Sequence, residues 1–172
     1  MQLIRCTAKL IKELGIKKSE LVEESPKFSY LGQWHANLIY INRRKCVLFA
    51  NDKTLINFIV PDVSRKEIRN LGNMFESMFH CILADEGYSQ EQIEKVLAEY
   101  SEIEIGKSNN RSVLGSLNDL AFHYEHSILE SGGPHSAAIP SIISRLNRMP
   151  MHASRKSMFP IKELQKLYPP AS

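Results

Sequence analysis

The strongest constraint on the fold is a pair of apolar and aromatic runs separated by only four polar residues. The runs cover 34–41 and 46–50, and Asn42-Arg43-Arg44-Lys45 lies between them. This arrangement predicts a β-hairpin. Both faces of the first run carry apolar side chains, which predicts a central strand. Because a hairpin joins antiparallel neighbours without a helical crossover, it argues against a purely parallel, doubly wound sheet.

The rest of the chain predicts an α+β domain. We expect a small, largely antiparallel sheet of three to four strands, with about five helices covering one of its faces. Further strands are predicted near 2–7 and around Ile103 and Ile105, where apolar and acidic residues alternate. A helix over 8–14 should end at Gly15, the residue type that favours a left-handed cap.

Two serines mark the starts of further helices. Ser64 precedes Glu67, and Ser89 precedes Gln92, by the three residues typical of a capping box. The first of these helices is predicted to run without a break from Ser64 to near Gly87. Apolar periodicity predicts additional helices over 112–130, 137–147 and 161–167.

Length and charge predict one domain with a basic end. The chain has 172 residues and a net charge of +3. We expect a single domain over 1–150 and a basic, Pro-containing C-terminal extension over 151–172. Residues 145–172 hold six cations and one acidic residue (+5), so residues 1–144 sum to −2. A basic end of this kind can attract an anionic partner, although a solvated tail is the simpler explanation.

The cysteines and the absence of long apolar runs predict a cytoplasmic protein with no membrane segment. Cys6, Cys46 and Cys81 are odd in number and widely spaced, which argues against a disulfide framework or a zinc knuckle. Their apolar surroundings predict three buried thiols. No run approaches the roughly 20 apolar residues of a membrane helix, and the first residues lack a secretory pattern.

The richest polar segment lies where the strand near Ile105 leads into the helix over 112–130. A helix start offers free backbone donors and a partial positive charge, which suit an anion. Lys107 can add a point charge and Arg111 a planar fork for phosphate or carboxylate. The segment matches neither a Walker loop nor a G-x-G-x-x-G fingerprint. The alternative is simple helix capping by one of the polar residues at 108–110.

Within that helix, a polar stripe follows helical spacing. It consists of Ser112, Ser116, Asp119, His123 and His126. Asp119 and His123 can act as an acid–base pair, or join His126 in a metal site, because residues three and four apart are neighbours. No H-E-x-x-H pattern is present, and a solvated helix face explains the same residues. Gly115 and Asn118 are poor helix formers, which predicts a close approach by a ligand or by another backbone.

The hairpin tip carries a second basic cluster. Arg43, Arg44 and Lys45 lie near Trp34, His35 and Tyr40 in sequence, and such a cluster can hold phosphate and stack a base. A solubilising turn is the competing interpretation. His35 and Asn37 share one face of the strand, which predicts a hydrogen-bonded structural pair rather than a catalytic one.

Three separated blocks resemble a bacterial family that is a domain of unknown function. They are Leu-Gly-x-Trp-x-Ala-Asn-Leu at 31–38, Arg-Arg-Lys-Cys-Val-Leu-Phe at 43–49 and Asn-Arg-Ser-Val-Leu-Gly-Ser-Leu-Asn at 110–118. The resemblance covers about residues 1–151. It implies a bacterial source and supplies no mechanism.

These observations favour a protein that binds a nucleic acid or another phosphate-bearing ligand, with hydrolysis assisted by Asp119 and His123. The predicted ligand-binding residues are Arg43, Arg44, Lys45, Lys107, Asn110, Arg111, Ser112, Gly115 and Asn118. The alternative is a non-enzymatic protein-interaction module, such as one component of a paired bacterial system, in which Asn110, Arg111 and Asn118 are buried and mutually bonded. A third hypothesis is a metal hydrolase using Asp119, His123 and His126.

Overall fold

The predicted hairpin forms the middle of a five-stranded sheet. The structure is a computed structural model that describes residues 2–24, 29–153 and 156–171. Its strands are β1 (Gln2–Cys6), β2 (Trp34–Ile41), β3 (Arg44–Asn51), β4 (Asn57–Val60) and β5 (Ile103–Lys107). Their order in the sheet is β4-β3-β2-β1-β5, so β2 is central, as predicted. Two short strands, β6 (Met151–Ala153) and β7 (Lys156–Met158), form a separate antiparallel ribbon.

The sheet combines antiparallel and parallel pairings. β2 pairs antiparallel with β3, and β3 with β4. β1 runs parallel to both of its neighbours, β2 and β5. The α+β class is confirmed, whereas the predicted count of three to four strands is slightly low. The missed pairing joins β1 to β5, which lie about 100 residues apart, and local patterns do not report such contacts.

Seven α-helices surround the sheet in the described residues, more than the five predicted. They are α1 (Ala8–Leu14), α2 (Arg65–Arg69), α3 (Leu71–Asp85), α4 (Gln90–Leu97), α5 (Arg111–Glu130), α6 (Ile139–Leu146) and α7 (Pro160–Leu167). The prediction of one long helix after Ser64 is wrong, because Asn70 leaves helical geometry at φ −103° and ψ 47°. Both capping boxes and the left-handed Gly15 cap are confirmed.

The helices cover both faces of the sheet, and the prediction of one covered face is wrong. Phe58 of β4 packs on Phe75 of α3, with ring centroids 5.9 Å apart. The preceding residue, Asn57, accepts a hydrogen bond from Tyr124 of α5 at 2.7 Å. Successive side chains of a strand point to opposite faces, so α3 and α5 lie on opposite sides of the sheet.

An aromatic cluster fills the α3 side of the core. Trp34 lies 4.9 Å from the ring of Phe75 and 5.0 Å from that of Phe79. Its indole N–H donates to the hydroxyl of Tyr100 at 3.1 Å. Ile161 and Leu164 of α7 belong to the same buried core, so part of the predicted C-terminal extension packs on the main body. No helix in the described ranges is long and apolar enough to cross a membrane.

The outward-facing backbone groups of the two outer strands, β4 and β5, form hydrogen bonds with residues that do not belong to a strand. On the β5 side, the backbone N–H of Val22 donates to the carbonyl of Ile105 at 2.9 Å. On the β4 side, the side-chain amide of Asn147 accepts from the N–H of Asn57 at 2.9 Å and donates to its carbonyl at 2.8 Å. A loop and a side chain thus occupy positions that a further strand would take.

Candidate functional site

The carboxyl ends of β1 and β5 form a topological switch point. Glu13 of α1 binds Lys45, which shares a face of β3 with Phe49, and Phe49 packs on Phe75 of α3. Helix α1 therefore lies on the α3 face, whereas α5, which follows β5, covers the opposite face. Two adjacent parallel strands whose helices leave to opposite sides open a crevice at their carboxyl ends. In open α/β sheets, ligands bind in the crevice at such a point.

The polar loop predicted as the site lies at this switch point. The N–H of Ser108 donates to the carbonyl of Cys6 at 3.0 Å, which joins the loop to the end of β1. The side chain of Asn110 accepts hydrogen bonds from the N–H groups of Ser112 and Val113, so Asn110 is the helix cap. Capping by one residue of 108–110 is confirmed. Lys107, Arg111 and Ser112 are exposed beside the cap.

A buried arginine that was not among the residues predicted from the sequence supports the loop. Arg5, only 6% exposed, donates to the side-chain oxygen of Gln33 at 2.8 Å and to the carbonyl of Lys107 at 3.0 Å. A third bond reaches the carbonyl of Glu23 at 2.6 Å. Arg5 lines a groove of about 410 Å³, whose wall includes the cations Lys18 and Lys107 and the acidic residues Glu23 and Glu24. In the sequence, the only sign of this role is that Arg5 is a charged residue within a mainly apolar strand.

The turn of the hairpin is shorter than predicted, and fewer of its cations are unpaired. Its turn consists of Asn42 and Arg43 alone, with φ of 50° and 65°, while Arg44 and Lys45 belong to β3. Arg44 lies 3.7 Å from a carboxylate oxygen of Asp62. Lys45 binds Glu13, which also accepts from Arg65, and these hydrogen bonds lower the pKa of the Glu13 carboxyl. Two of the three cations in the predicted cluster are therefore paired.

The hairpin tip and the polar loop nevertheless share one edge of the sheet. β2 runs parallel to β1 and β5, so its end points the same way as theirs. Ala36 lies opposite Cys6, and β2 continues five residues beyond that point to Ile41. At about 3.3 Å per residue, the tip projects roughly 16 Å past the end of β1. The two strand spacings between β2 and β5 amount to about 10 Å.

A second cavity, of about 170 Å³, lies between α5 and the segment that follows α6. Asp119 and His123, the predicted acid–base pair, line it together with Ser116 and Leu120. The opposite wall consists of Leu146, Met149, Pro150, Met151 and His152. His152 was not a candidate from the sequence, because nothing local indicates that it meets α5. Within the polar stripe, Ser116 alone is buried and the other four residues are exposed.

The metal-hydrolase hypothesis lacks a suitable cluster in the described residues. His126 lies outside the cavity, 3.3 Å from a carboxylate oxygen of Glu130 and stacked on Phe122. Across 2–24, 29–153 and 156–171, no three His, Cys, Asp or Glu side chains are placed to hold one metal ion. Asp119 and His123 thus share a cavity, and His126 does not join them.

The outer stripe of α5 does not fit either structural explanation from the sequence. We use this term for Arg111, Gly115, Asn118, Phe122 and Leu129, which are all exposed. In the part of the chain that the structure describes, a Cβ atom at Gly115 would meet nothing within 4 Å, so the expected close approach by another backbone is wrong at this position. The interaction-module alternative predicted that Asn110, Arg111 and Asn118 are buried and bonded to one another. All three are exposed, so this part of the alternative is wrong.

Two further expectations fail at individual side chains. His35 and Asn37 do not bond to each other: Asn37 accepts from Thr7 at 2.8 Å, and His35 lies 3.9 Å from Asp52. The Nδ1 atom of His35 is buried and has no hydrogen-bond partner among residues 2–24, 29–153 and 156–171. Cys6 and Cys46 are buried as predicted, and burial raises the pKa of both thiols. Cys81 is exposed, so the prediction of a third buried thiol is wrong.

A family comparison covers nearly the whole fold. A sequence-family model described as a domain of unknown function (DUF6933) matches residues 3–163. The chain belongs to this family. The DUF6933 match includes β1 through α5 and extends past residue 151, where the resemblance in the sequence ends. No curated protein matches the chain. No solved structure matches it either.

Proposed function

We propose that this protein binds a phosphate-bearing ligand, with nucleic acid as the leading candidate, along the edge formed by the carboxyl ends of β1, β2 and β5. One observation carries the proposal: the predicted cations Arg43, Lys107 and Arg111 are exposed on the same edge of the sheet, and two of them flank its switch point. A bacterial source and a cytoplasmic location are part of the proposal and rest on the sequence alone.

The geometry favours an extended anion over a small one. The hairpin tip and the α5 cap are separated by roughly 10 Å across the strands and 16 Å along them. A single phosphate cannot span this distance, whereas a polyanionic strand can. Exposed lysine and arginine side chains bind such a strand mainly through its phosphates and release its counterions. Asn110, whose side chain is occupied by capping, would position the backbone donors rather than contact the ligand directly.

The test is the salt dependence of binding to a labelled single-stranded oligonucleotide, measured by fluorescence anisotropy. Affinity should fall linearly with salt on a log–log scale. Arg111→Ala should weaken binding and reduce the slope by about one, because one phosphate contact is lost. Arg44→Ala should have a smaller effect, since Arg44 is paired with Asp62.

Lys95→Ala is the matched control. Lys95 is exposed on α4, which leads to the amino end of β5 and therefore to the opposite edge of the sheet. Its removal should leave the salt slope unchanged. Absence of binding to RNA and DNA at low salt would eliminate the proposal, and equal effects of Arg111→Ala and Lys95→Ala would eliminate the assignment of the edge.

The outer stripe of α5 supports a second candidate function, protein interaction through a second copy of this chain. Phe122 is 69% exposed and Leu129 is 48% exposed, and large apolar side chains grouped on one helix face are typical of an interface. In an antiparallel pair of α5 helices that sets Phe122 of each copy on Gly115 of the other, Arg111 lies beside Glu125 of the other copy. The stripe is then complementary to itself in shape and charge.

Sedimentation equilibrium distinguishes the second candidate. A concentration-dependent dimer should dissociate in Phe122→Ser and persist in Tyr40→Ser, which removes another exposed aromatic ring, 52% exposed, from the hairpin. A monomer at all concentrations would exclude self-association. A dimer insensitive to Phe122→Ser would show that another surface is used.

A further inference from the structure

The cavity beside α5 brings together two imidazoles that are distant in sequence. His123 lies on the α5 wall and His152 on the wall formed by the segment after α6. Asp119 lies one helical turn before His123 and lines the same space. All three side chains are exposed to solvent at its mouth, so a ligand can reach them. Met151, beside His152, is held by Asn57, whose amide lies 3.9 Å from its sulfur.

The cavity lies beside α5, whose first residue, Arg111, is at the sheet edge. Arg111 and Ser116 are five residues apart on α5, and Arg111 and His123 are twelve apart. At 1.5 Å per residue, the cavity begins about 8 Å and ends about 18 Å from Arg111 along the helix. A nucleic-acid strand that contacts Lys107 and Arg111 at the edge would have to turn along α5, over a distance of a few nucleotides, to enter the cavity.

We infer that this cavity cleaves RNA by internal transphosphorylation, with His123 as general base and His152 as general acid. The inference rests on the proposed function, because it needs the polyanion to be bound at the neighbouring edge. Neutral imidazole accepts a proton and imidazolium donates one in the physiological pH range, which makes a pair of histidines suited to both steps of such a reaction. RNA supplies the nucleophile, its own 2′-hydroxyl.

The step balances without a co-reactant. His123 accepts the proton of the 2′-hydroxyl as the 2′-oxygen forms a bond to phosphorus. The bond from phosphorus to the 5′-oxygen of the next nucleotide breaks, and the imidazolium of His152 donates its proton to that oxygen. The products are a 2′,3′-cyclic phosphate and a free 5′-hydroxyl.

The test compares three oligonucleotides of one sequence: RNA, DNA, and RNA with a single 2′-deoxy residue 5′ of the scissile phosphate. Cleavage is followed by fluorescence dequenching, and the ends are identified by mass spectrometry. We expect cyclic phosphate from RNA alone. His123→Asn and His152→Asn should each lower the rate by about 100-fold or more, the range for loss of a general acid or base. The pH–rate profile of the wild type should be bell-shaped, with one limb lost in each variant.

His126→Asn is the matched control, because His126 is an exposed histidine of the same helix outside the cavity. It should cleave at the wild-type rate, and binding of the DNA version should be equal in all variants. Binding of RNA without cleavage by the wild type would overturn the inference and leave the proposed function standing. Equal losses in the His126 and His123 variants, or cleavage of DNA, would also overturn it. Failure to bind any oligonucleotide would overturn both.

Discussion

The three cysteines show what a side chain's neighbours in sequence reveal and what they leave open. All three lie in apolar runs, yet Cys6 and Cys46 are buried in strands while Cys81 is exposed on α3. Both faces of β1 and β3 are covered around these positions, so Cys6 and Cys46 are buried whichever face they occupy. A helix buries only one side, and Cys81 lies beside Met74 and Met78 in a shallow groove on the outer side.

This difference predicts selective thiol chemistry. In the native protein, one thiol per chain should react rapidly with an aromatic disulfide reagent, because only a solvent-accessible thiolate attacks. Cys81→Ser should abolish the rapid reaction. Cys6 and Cys46 should react only after unfolding, since burial withholds both sulfurs and raises their pKa values. The measurement is thiol release at neutral pH with and without denaturant, and more than one fast thiol would contradict the structure.

His35 and Asn37 also show that neighbours in sequence do not determine the contacts of a side chain. Their alternation on β2 correctly places both on one face, but the bonding partner of Asn37 is Thr7 at the end of β1. Sequence periodicity gives the direction of a side chain along its own strand. It does not give the neighbouring strand, and here that strand decides the hydrogen bond.

At the scale of elements, α5 was well predicted while its surroundings were not. Its bounds, its buried stripe and its polar stripe follow from helical spacing. The cavity that Asp119 and His123 line is completed by residues 146–152, which lie more than 20 positions further along the chain. Which part of a polar face meets solvent and which meets a cavity depends on that later packing.

Two glycines of neighbouring elements should respond to alanine in opposite ways. Gly115 is exposed inside α5, and no atom of the described residues lies within 4 Å of a new Cβ, so Gly115→Ala should stabilise the fold by about 1 kcal/mol. Gly106 of β5 has no such room, because a Cβ would lie 2.7 Å from the carbonyl oxygen of Val22. Gly106→Ala should therefore be destabilising. Both predictions are tested by comparing the urea midpoints of unfolding of each variant and the wild type, provided that their m-values are equal. A destabilised Gly115→Ala would contradict the open space around Gly115.

The ion pairs that join α1, β3 and α2 predict a dependence of stability on pH. Hydrogen bonds from Lys45 and Arg65 lower the pKa of Glu13 below its ordinary value of 4.5. The resulting stability is present above the unfolded-state pKa and is lost as the pH falls through the lower, folded-state value. Wild type should be more stable than Glu13→Gln at neutral pH, and the difference should shrink below about pH 4.5. A difference that stays constant to strongly acidic pH would contradict this linkage.

For the whole molecule, hydrophobic patterning predicts the class of fold but not its topology. The hairpin, the α5 helix and both capping boxes depend on residues close in sequence, and all are confirmed. The parallel pairing of β1 with β5 joins two strands that are far apart in sequence, and no periodic pattern specifies it. The switch point, which depends on this pairing, could be recognised only in the folded chain.

Trp34, the single tryptophan, should report unfolding of the whole domain. It contacts two rings of α3 and donates to Tyr100 just before β5, so its environment depends on several parts of the core. Its fluorescence should shift in one transition that coincides with loss of far-ultraviolet circular dichroism, as in two-state unfolding. An earlier fluorescence change would show that the aromatic cluster opens separately.

The two outer strands have a consequence for behaviour at high concentration. An open strand edge is a template on which another chain can add its own strand, and such addition begins many aggregates. Here Val22 occupies a carbonyl of β5, and the amide of Asn147 occupies both backbone groups of Asn57 in β4. Asn147→Leu would free that edge of β4. One buried amide and one loop therefore cover these two strands against the addition of a further strand.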